Sequence, residues 1–372
     1  MSIGLGILGA SGKTGFAFVG QRGLRYFEDH PFLEVRAMIA DDPDDVGKTL
    51  AEAVRGRWLL DEPVPAAFAD MTMVGLDKAA LESAGVELIL SALPGPLARQ
   101  LDPQLAEMGF PLVSESAGLR QEPDIPLIVP DVNADHLPLV LRQRETRGWD
   151  GGWIVASPVC TAVIAAVAVK PVLDAFGINA AIFATLQALS GAGPTGVPAM
   201  YVVDNVIPFI ADEEDKLIKE TRKILGTYTG EAIEPLAAPI AATCTRVAVR
   251  DGHTEAVTLG LEREATLDEV ADAIASYRGR AQELELPSAP AVPLVVRSEI
   301  DRPQPQLDRD VDAGRVVSVG RIRRHDALPN GIAFVAVGHN HDRGTVGNAV
   351  ILTELVAKEG LALARERVAI SA

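Results

Sequence analysis

The feature that most constrains this chain stands near its beginning, where the apolar run Ile3 to Leu8 ends in Gly9-Ala10-Ser11-Gly12-Lys13-Thr14-Gly15. A short apolar run bounded by glycine reads as a buried strand, and the segment that follows reads as a helix. Glycines three apart permit a tight turn and let the backbone approach an anion at the helix N-terminus, where unpaired N–H groups collect. The spacing alone is weak. Its place between the first strand and the first helix separates it from an ordinary glycine turn and points to the pyrophosphate of a dinucleotide. A P-loop reading of Gly12-Lys13-Thr14 fails, because the earlier glycine such a loop requires falls on Ile7.

Further strands are expected at 33–40, 86–93, 111–114 and 125–129, with helices around 77–83 and 97–108 between them. This alternation predicts an α/β fold whose N-terminal part is a doubly wound, Rossmann-type parallel sheet covered by helices. Beyond Trp153 the pattern changes. A strand at 153–159 runs into an apolar helix at 161–176 with Cys160 at the junction, and strands then dominate at 181–189, 241–249, 255–261, 294–299, 316–322 and 332–338. A second, α+β domain with a mostly antiparallel sheet is the simplest reading. Thr266-Leu267-Asp268-Glu269 is a capping box opening a helix, and 346–366 carries a final one. Pro303, Pro305 and the acidic stretch 308–312 mark a surface loop. The expected division is a dinucleotide-binding domain over 1–158, completed by the C-terminal helix at 345–372, and a second domain over 159–344.

At 372 residues the chain exceeds one ordinary core, which agrees with two domains. A net charge of −17 repels phosphate backbones and anionic lipid, so neither nucleic acid nor a membrane surface is an expected partner. The longest apolar stretch, 161–169, stops at Lys170, short of the roughly 20 residues a membrane helix needs. The start lacks the basic segment of a secretory signal, so the expected location is cytoplasmic. Two cysteines, Cys160 and Cys244, supply neither a disulfide framework nor a zinc spacing, and no metal is expected.

After the second strand comes Ala40-Asp41-Asp42-Pro43-Asp44-Asp45, where a dinucleotide fold meets the adenosine ribose. A carboxylate from Asp41 or Asp42 would accept hydrogen bonds from both ribose hydroxyls and repel a 2′-phosphate, which predicts NAD over NADP. A solvated acidic turn is the competing reading. Cys160 lies at the N-terminus of the apolar helix, where free N–H groups and the helix dipole favour a thiolate able to attack an aldehyde carbon. A buried, inert cysteine accounts for the local sequence equally well.

Across nearly its whole length the chain resembles aspartate-β-semialdehyde dehydrogenase of the archaeal and fungal type. The stretches that carry the resemblance are GILGASGKTG, SALP at Ser91 to Pro94, DIPLIVPDVNADHL at Asp124 to Leu137, SPVCTA at Ser157 to Ala162, TLQALSGAG at Thr185 to Gly193, DNVIPFI at Asp204 to Ile210, EEDK at Glu213 to Lys216, RVAVRDGHT at Arg246 to Thr254, DRPQPQLDRD at Asp301 to Asp310 and GHNHDRGTVGNAV at Gly338 to Val350. The resemblance implies Cys160 as nucleophile, His253 as general acid/base and Gln187 as the polar group orienting the thioacyl intermediate. It implies Arg246 as the grip on the substrate carboxylate, Glu213 on its amine, and Lys216 and Arg120 as cations near the phosphate. Cofactor contacts are implied at Gly9, Ser11, Gly12, Lys13, Thr14 and Gly15, at Asp41 and Asp42, at Ser91, Leu93 and Pro94, and at Ser190, Gly191, Gly193 and Asn340. Taken singly, Arg246 reads as a strand-edge charge, Lys216 as a helix-face charge and His253 as a turn residue; together, in the family's order, they read as a site. His30, His136, His325, His339 and His341 are left structural. A homodimer or homotetramer is implied, with the second domain's sheet at the interface.

The chain also departs from that family. Asn-Pro-Asn-Cys at the nucleophile is here Ser157-Pro158-Val159-Cys160, the Ser-Asn-Ala segment is Ser114-Glu115-Ser116-Ala117-Gly118-Leu119-Arg120, and the ribose loop carries aspartates in place of Ser and Arg. Three functions follow as expectations: a phosphorylating, NAD-preferring aspartate-semialdehyde dehydrogenase using inorganic phosphate; a paralogue acting on another short acidic semialdehyde or an acyl-CoA, as the malonyl-CoA reductases do; and a dinucleotide-binding sensor without turnover.

Overall fold

The computed structural model describes residues 2–12, 17–193 and 196–360. Lys13, Thr14, Gly15 and the last part of the expected C-terminal helix lie outside the described residues. Six strands, β1 (Ile3–Leu8), β2 (Leu33–Ile39), β3 (Met73–Val74), β4 (Leu88–Ser91), β5 (Pro111–Ser114) and β6 (Trp153–Ala156), form one parallel sheet in the order β3-β2-β1-β4-β5-β6. They are short and apolar on both faces, as strands covered twice must be. The helices α1 (Ala17–Leu24), α2 (Lys78–Ala84), α3 (Gly95–Glu107) and α4 (Leu139–Arg147) accompany them; α2 is opened by Asp77, whose side chain accepts the Ala80 N–H, and closed by left-handed Gly85. The chain reverses its direction of travel across the sheet between β1 and β4, so their carboxyl ends bound the crevice where such sheets bind ligands.

The strand expected at 125–129 reduces to a single bridge between Leu127 and Ala156. Pro126 and Pro130 remove N–H donors on either side, and Asn133 takes the Val129 N–H and the Leu127 carbonyl that a longer ladder would have used.

Residues 160–176 form α5 (Cys160–Phe176), whose Ala162 to Val169 segment is sealed from solvent. It lies on the inner face of a second sheet made of β7 (Ile178–Gln187), β10 (Ile240–Arg246), β11 (His253–Leu261), β12 (Leu294–Arg297), β13 (Val317–Arg324) and β14 (Ile332–Gly338); β8 (Thr227–Tyr228) and β9 (Ile233–Glu234) pair as a separate hairpin. The order is β10-β7-β11-β14-β13-β12, with three antiparallel junctions in the middle and a parallel one at each edge. Two helices with a strong apolar stripe, α6 (Glu213–Ile224) and α7 (Leu267–Ser276), flank α5. The Thr266–Glu269 capping box is present as expected. Helix α8 (Val346–Leu355) returns to pack on α1 and β5 of the first sheet. Among the described residues no helix is long and apolar enough to cross a membrane.

The acidic stretch 308–312 is not wholly a surface loop. Asp308 is fully buried and takes the guanidinium groups of Arg302 and Arg297 together with the Gln304 N–H. A second buried pair joins the two halves of the molecule: Arg343, just after β14, reaches Asp131 at 2.7 Å with both side chains at 0% exposure. Removing one member strands a buried charge, so Arg343→Met should lower the unfolding free energy by about 3–5 kcal/mol in chemical denaturation. A loss under about 1 kcal/mol would show that water reaches the pair.

Candidate active site

Strand β6 ends at Ala156, and four residues later α5 begins with Cys160 in its first turn. Val159, the residue before it, offers no side-chain cap; its N–H is taken instead by Oε2 of Glu220 on α6, at 2.6 Å. From the other side Gly344 lies against Cys160, where a Cβ would stand 2.6 Å from the cysteine Cβ. Only glycine lets the backbone after β14 come this close to Cys160.

The partners come from adjacent strands. Arg246 on β10 is in register with Gln187 on β7, and His253 opens β11 beside them. The His253 Nε2 lies 3.3 Å from Cys160 Sγ, and its Nδ1 accepts the Ala188 N–H at 3.1 Å. Arg246 donates from Nη1 to the Ala188 carbonyl at 2.6 Å. Glu213, at the start of α6, accepts hydrogen bonds from Thr161 Oγ1 at 3.0 Å and Gln187 Nε2 at 3.1 Å. Cys160, His253, Gln187, Arg246 and Glu213 thus converge. Arg120 is close behind, donating to the Glu115 carbonyl and standing 3.5 Å from Glu220. Lys216 is not drawn into this cluster; it is half-buried with Asp212 at 3.9 Å.

The charge state of the sulfur corrects the sequence reading. A thiolate was expected from the helix end, yet burial, followed by the negative charge of Glu213, pushes the Cys160 thiol well above the ordinary thiol range. The N–H groups at the start of α5 act in the opposite direction and are outweighed. Burial, then the charge of Arg246 and the nearby His341 and His339, hold His253 well below the usual histidine range. The resting pair is therefore a neutral thiol against a neutral imidazole.

Three acids that sequence reasoning missed, or left without a place, surround this pair. Glu255 is two residues beyond His253 on β11 and therefore on the same face; it is fully buried, and burial pushes its carboxyl far up. Glu220 is seven residues beyond Glu213 on α6, two helical turns along the same stripe, and burial raises it as well. Strand and helix periods could have revealed both. Glu115, the departure noted after β5, is buried near Arg120 and Ser157, and burial holds it in the neutral form.

The cofactor side is built at the β1/β4 crevice. Gly9 has φ +97°, and a Cβ there would stand 2.6 Å from the Ala92 carbonyl. Gly20 on α1, not singled out from sequence, allows the helix to approach Ala10. Ser11 Oγ and Asp41 Oδ1 are buried without hydrogen-bond partners, and a Cβ on Gly12 would stand 3.5 Å from Asp41 Oδ2. These orphaned oxygens around an open glycine turn suit the ribose and pyrophosphate of a nicotinamide dinucleotide. Asp42 instead caps the turn at Pro43–Asp45, accepting the Asp44 N–H. Arg57, which donates to the Ser11 carbonyl, is engaged by buried Asp45. Ser91 points inward, donating to buried Asp102, and the Leu93 side chain is buried, so they can present only backbone to a ligand; Pro94 opens α3. On the far wall Asn340 donates to Ser190 Oγ and accepts the Gly252 N–H. A Cβ on Gly191 would stand 2.8 Å from Arg246 Nη1 and 3.0 Å from His253 Cε1, and Gly193 closes the turn with φ +83°. A cleft of about 500 Å³ runs between these loops and α1, lined by Phe18, Ser190, Gly193, His339 and His341. The last two histidines therefore border the site rather than serving only the core. Among the described residues no group of His, Cys, Asp and Glu is arranged to hold a metal ion.

Comparison with known proteins gives two matches to family descriptions: "Semialdehyde dehydrogenase, NAD binding domain" over residues 4–139 and "Semialdehyde dehydrogenase, dimerisation domain" over residues 169–341. The aspartate-semialdehyde dehydrogenase of Methanothermobacter thermautotrophicus is 40% identical over 354 residues, covering 95% of this chain and 99% of that protein. The NADP-dependent malonyl-CoA reductase of Metallosphaera sedula is 33% identical, covering 95% and 96%. The crystal structure of aspartate-semialdehyde dehydrogenase with NADP from Candida albicans superimposes with a TM-score of 0.84 at 32% identity, covering 97% of this chain and 100% of that one.

The protonated resting thiol can be checked by site-resolved alkylation of Cys160 with iodoacetamide. Because its pKa is raised, the rate should stay low at pH 7 and climb only above the ordinary thiol range. Glu213→Gln, which removes a neighbouring negative charge, should move that rise to lower pH. Rapid alkylation at pH 7 would contradict the neutral pair.

Proposed function

Because the chain belongs to the semialdehyde dehydrogenase family, we propose that it is an aldehyde oxidoreductase that interconverts aspartate β-semialdehyde and β-aspartyl phosphate through a thioester on Cys160. The observation that carries this reading is the contact of Cys160 Sγ with His253 Nε2, set between a cation and a carboxylate that suit the two ends of an amino acid. Arg246 would take the α-carboxylate, Glu213 the α-ammonium, and Gln187 the oxygen of the reacting carbonyl.

The steps follow from that placement. The sulfur adds to the aldehyde carbon, forming the C–S bond, while the thiol proton passes by way of His253 to the aldehyde oxygen. A bound nicotinamide dinucleotide supplies the hydride acceptor. As the C–H bond is lost, His253 removes the hydroxyl proton, leaving a thioester. A phosphate oxygen, guided by Arg120 after passing Lys216 outside the cluster, attacks the thioester carbon; the C–S bond breaks and the sulfur recovers its proton from His253. The buried acids around the sulfur are neutral or paired, so an anion entering toward Arg120 meets less repulsion than the residue count suggests.

Asp41 supports NAD over NADP: its Oδ2 lies against Gly12 of the glycine turn, its Oδ1 is buried without a partner, and Arg57, which reaches the Ser11 carbonyl, is bound to Asp45. The bared outer face of the second sheet supports a homodimer: Ile182 and Leu186 of β7 are exposed, as are Met200, Tyr201, Val203 and Phe209 in the segment after it. A tetramer built from such dimers, and a boundary between the two domains near residue 158, belong to the same proposal. The acyl-CoA alternative draws support from the malonyl-CoA reductase relative and from Val159 beside the nucleophile.

Initial rates of nicotinamide reduction with aspartate semialdehyde separate these readings. Turnover should require inorganic phosphate, persist without coenzyme A and favour NAD, with Asp41→Ser raising kcat/KM for NADP about tenfold by removing a like charge. Turnover only with coenzyme A would overturn the phosphorylating reading. No turnover with any acidic semialdehyde would favour a sensor.

A further inference from the structure

His253 is held at both ring nitrogens, and the two partners differ in kind. At Nδ1 the partner is the backbone N–H of Ala188, at 3.1 Å. A peptide N–H can only donate, so Nδ1 must present its lone pair and carry no proton. A neutral imidazole has one N–H, which is thereby placed on Nε2, the atom 3.3 Å from Cys160 Sγ. The imidazolium is doubly disfavoured, since its Nδ1–H would oppose the Ala188 N–H and its charge would sit buried beside Arg246. In this state Nε2–H can donate a hydrogen bond to sulfur. It cannot take the thiol proton, because the free lone pair is on the wrong nitrogen, nor surrender its own without leaving an imidazolate.

The residue that imposes this state is itself held by Arg246, whose Nη1 donates to the Ala188 carbonyl at 2.6 Å. Ala188 follows the last residue of β7, and its own N–H makes no ladder bond, being spent on the histidine. A carboxylate is a stronger acceptor for a guanidinium than a peptide carbonyl is. We propose that Ala188 is a positioning residue through which binding of the substrate carboxylate at Arg246 converts His253 from an Nε2–H hydrogen-bond donor into an Nδ1–H acid/base. When Arg246 turns to the carboxylate, residue 188 is released and its N–H leaves Nδ1. The ring then loses a proton from Nε2 to water and gains one at Nδ1 from water, with no net change, and the Nε2 lone pair faces the sulfur. Until substrate arrives, the thiol stays protonated and the pair is inert. This inference rests on the carboxylate-binding role proposed above for Arg246.

Nitrogen-15 NMR of histidine-labelled wild-type enzyme tests it without altering the site. In the resting enzyme the His253 Nδ1 should resonate as an unprotonated, pyridine-type nitrogen and Nε2 as a protonated, pyrrole-type one. Saturation with L-2-aminobutyrate, which has the substrate's carboxylate and amine but a methyl group in place of the aldehyde, should exchange the two signatures. An Nδ1–H signature at rest, or an unchanged pattern with the amino acid bound, overturns the switch. A parallel calorimetric titration of Arg246→Gln separates the two layers. Affinity for L-2-aminobutyrate should fall about 10- to 100-fold, the loss expected for a charged hydrogen bond. Unchanged affinity would overturn the carboxylate role of Arg246 and the switch with it, whereas weakened affinity with no tautomer exchange in the wild type would overturn the switch alone.

Discussion

Everything chemical in this molecule depends on where helix α5 begins. Its apolar body is sealed against the second sheet, so it cannot slide or rotate without exposing a long aliphatic surface. That burial places Cys160 at the end of the sheet where β10, β7 and β11 present Arg246, Gln187 and His253. Two tight contacts complete the placement: Glu220 takes the N–H of Val159, and Gly344 presses its backbone on Cys160.

The same burial decides the electrostatics. A helix end favours a thiolate by a fraction of a kcal/mol to about 2 kcal/mol, whereas removing a sulfur anion from water beside Glu213 costs more. The sulfur is therefore a thiol at rest, and the reaction proposed for it requires activation by its neighbours. Glu255 shows the complementary rule, since a buried carboxyl group whose charged neighbour is another acid stays neutral; at Glu115 burial outweighs even the nearby Arg120. The β1/β4 crevice and the cluster on the second sheet are separate features of the fold, and the loops carrying Ser190, Gly191 and Asn340 lie beside the Arg246 and His253 end of that cluster.

Much of this was legible in the residues because it depends on local rules. The glycine turn after β1, the helix around 77–83, the Thr266 helix start, the strand at β7 and the junction at Cys160 all follow from period, capping and backbone freedom. The likeness to aspartate-semialdehyde dehydrogenases, carried by many short motifs, agrees with the matches over the whole chain. What failed depended on neighbours distant in sequence. The apolar segment before Pro130 looked like a strand until Asn133 claimed its backbone, and Asp308 looked solvated until Arg297 and Arg302 closed over it. The protonation of Cys160 depends on Glu213 and Glu255, from two other elements, and no local pattern around the cysteine reveals them.

The central claim is that the acyl group is carried on Cys160. Acid-quenched enzyme, mixed with aspartate semialdehyde and NAD in the absence of phosphate and digested for mass spectrometry, tests it directly. The account predicts an aspartyl adduct confined to the Cys160 peptide and discharged when phosphate is added before the quench. An unmodified Cys160 during turnover, or an adduct on Cys244 instead, would contradict it.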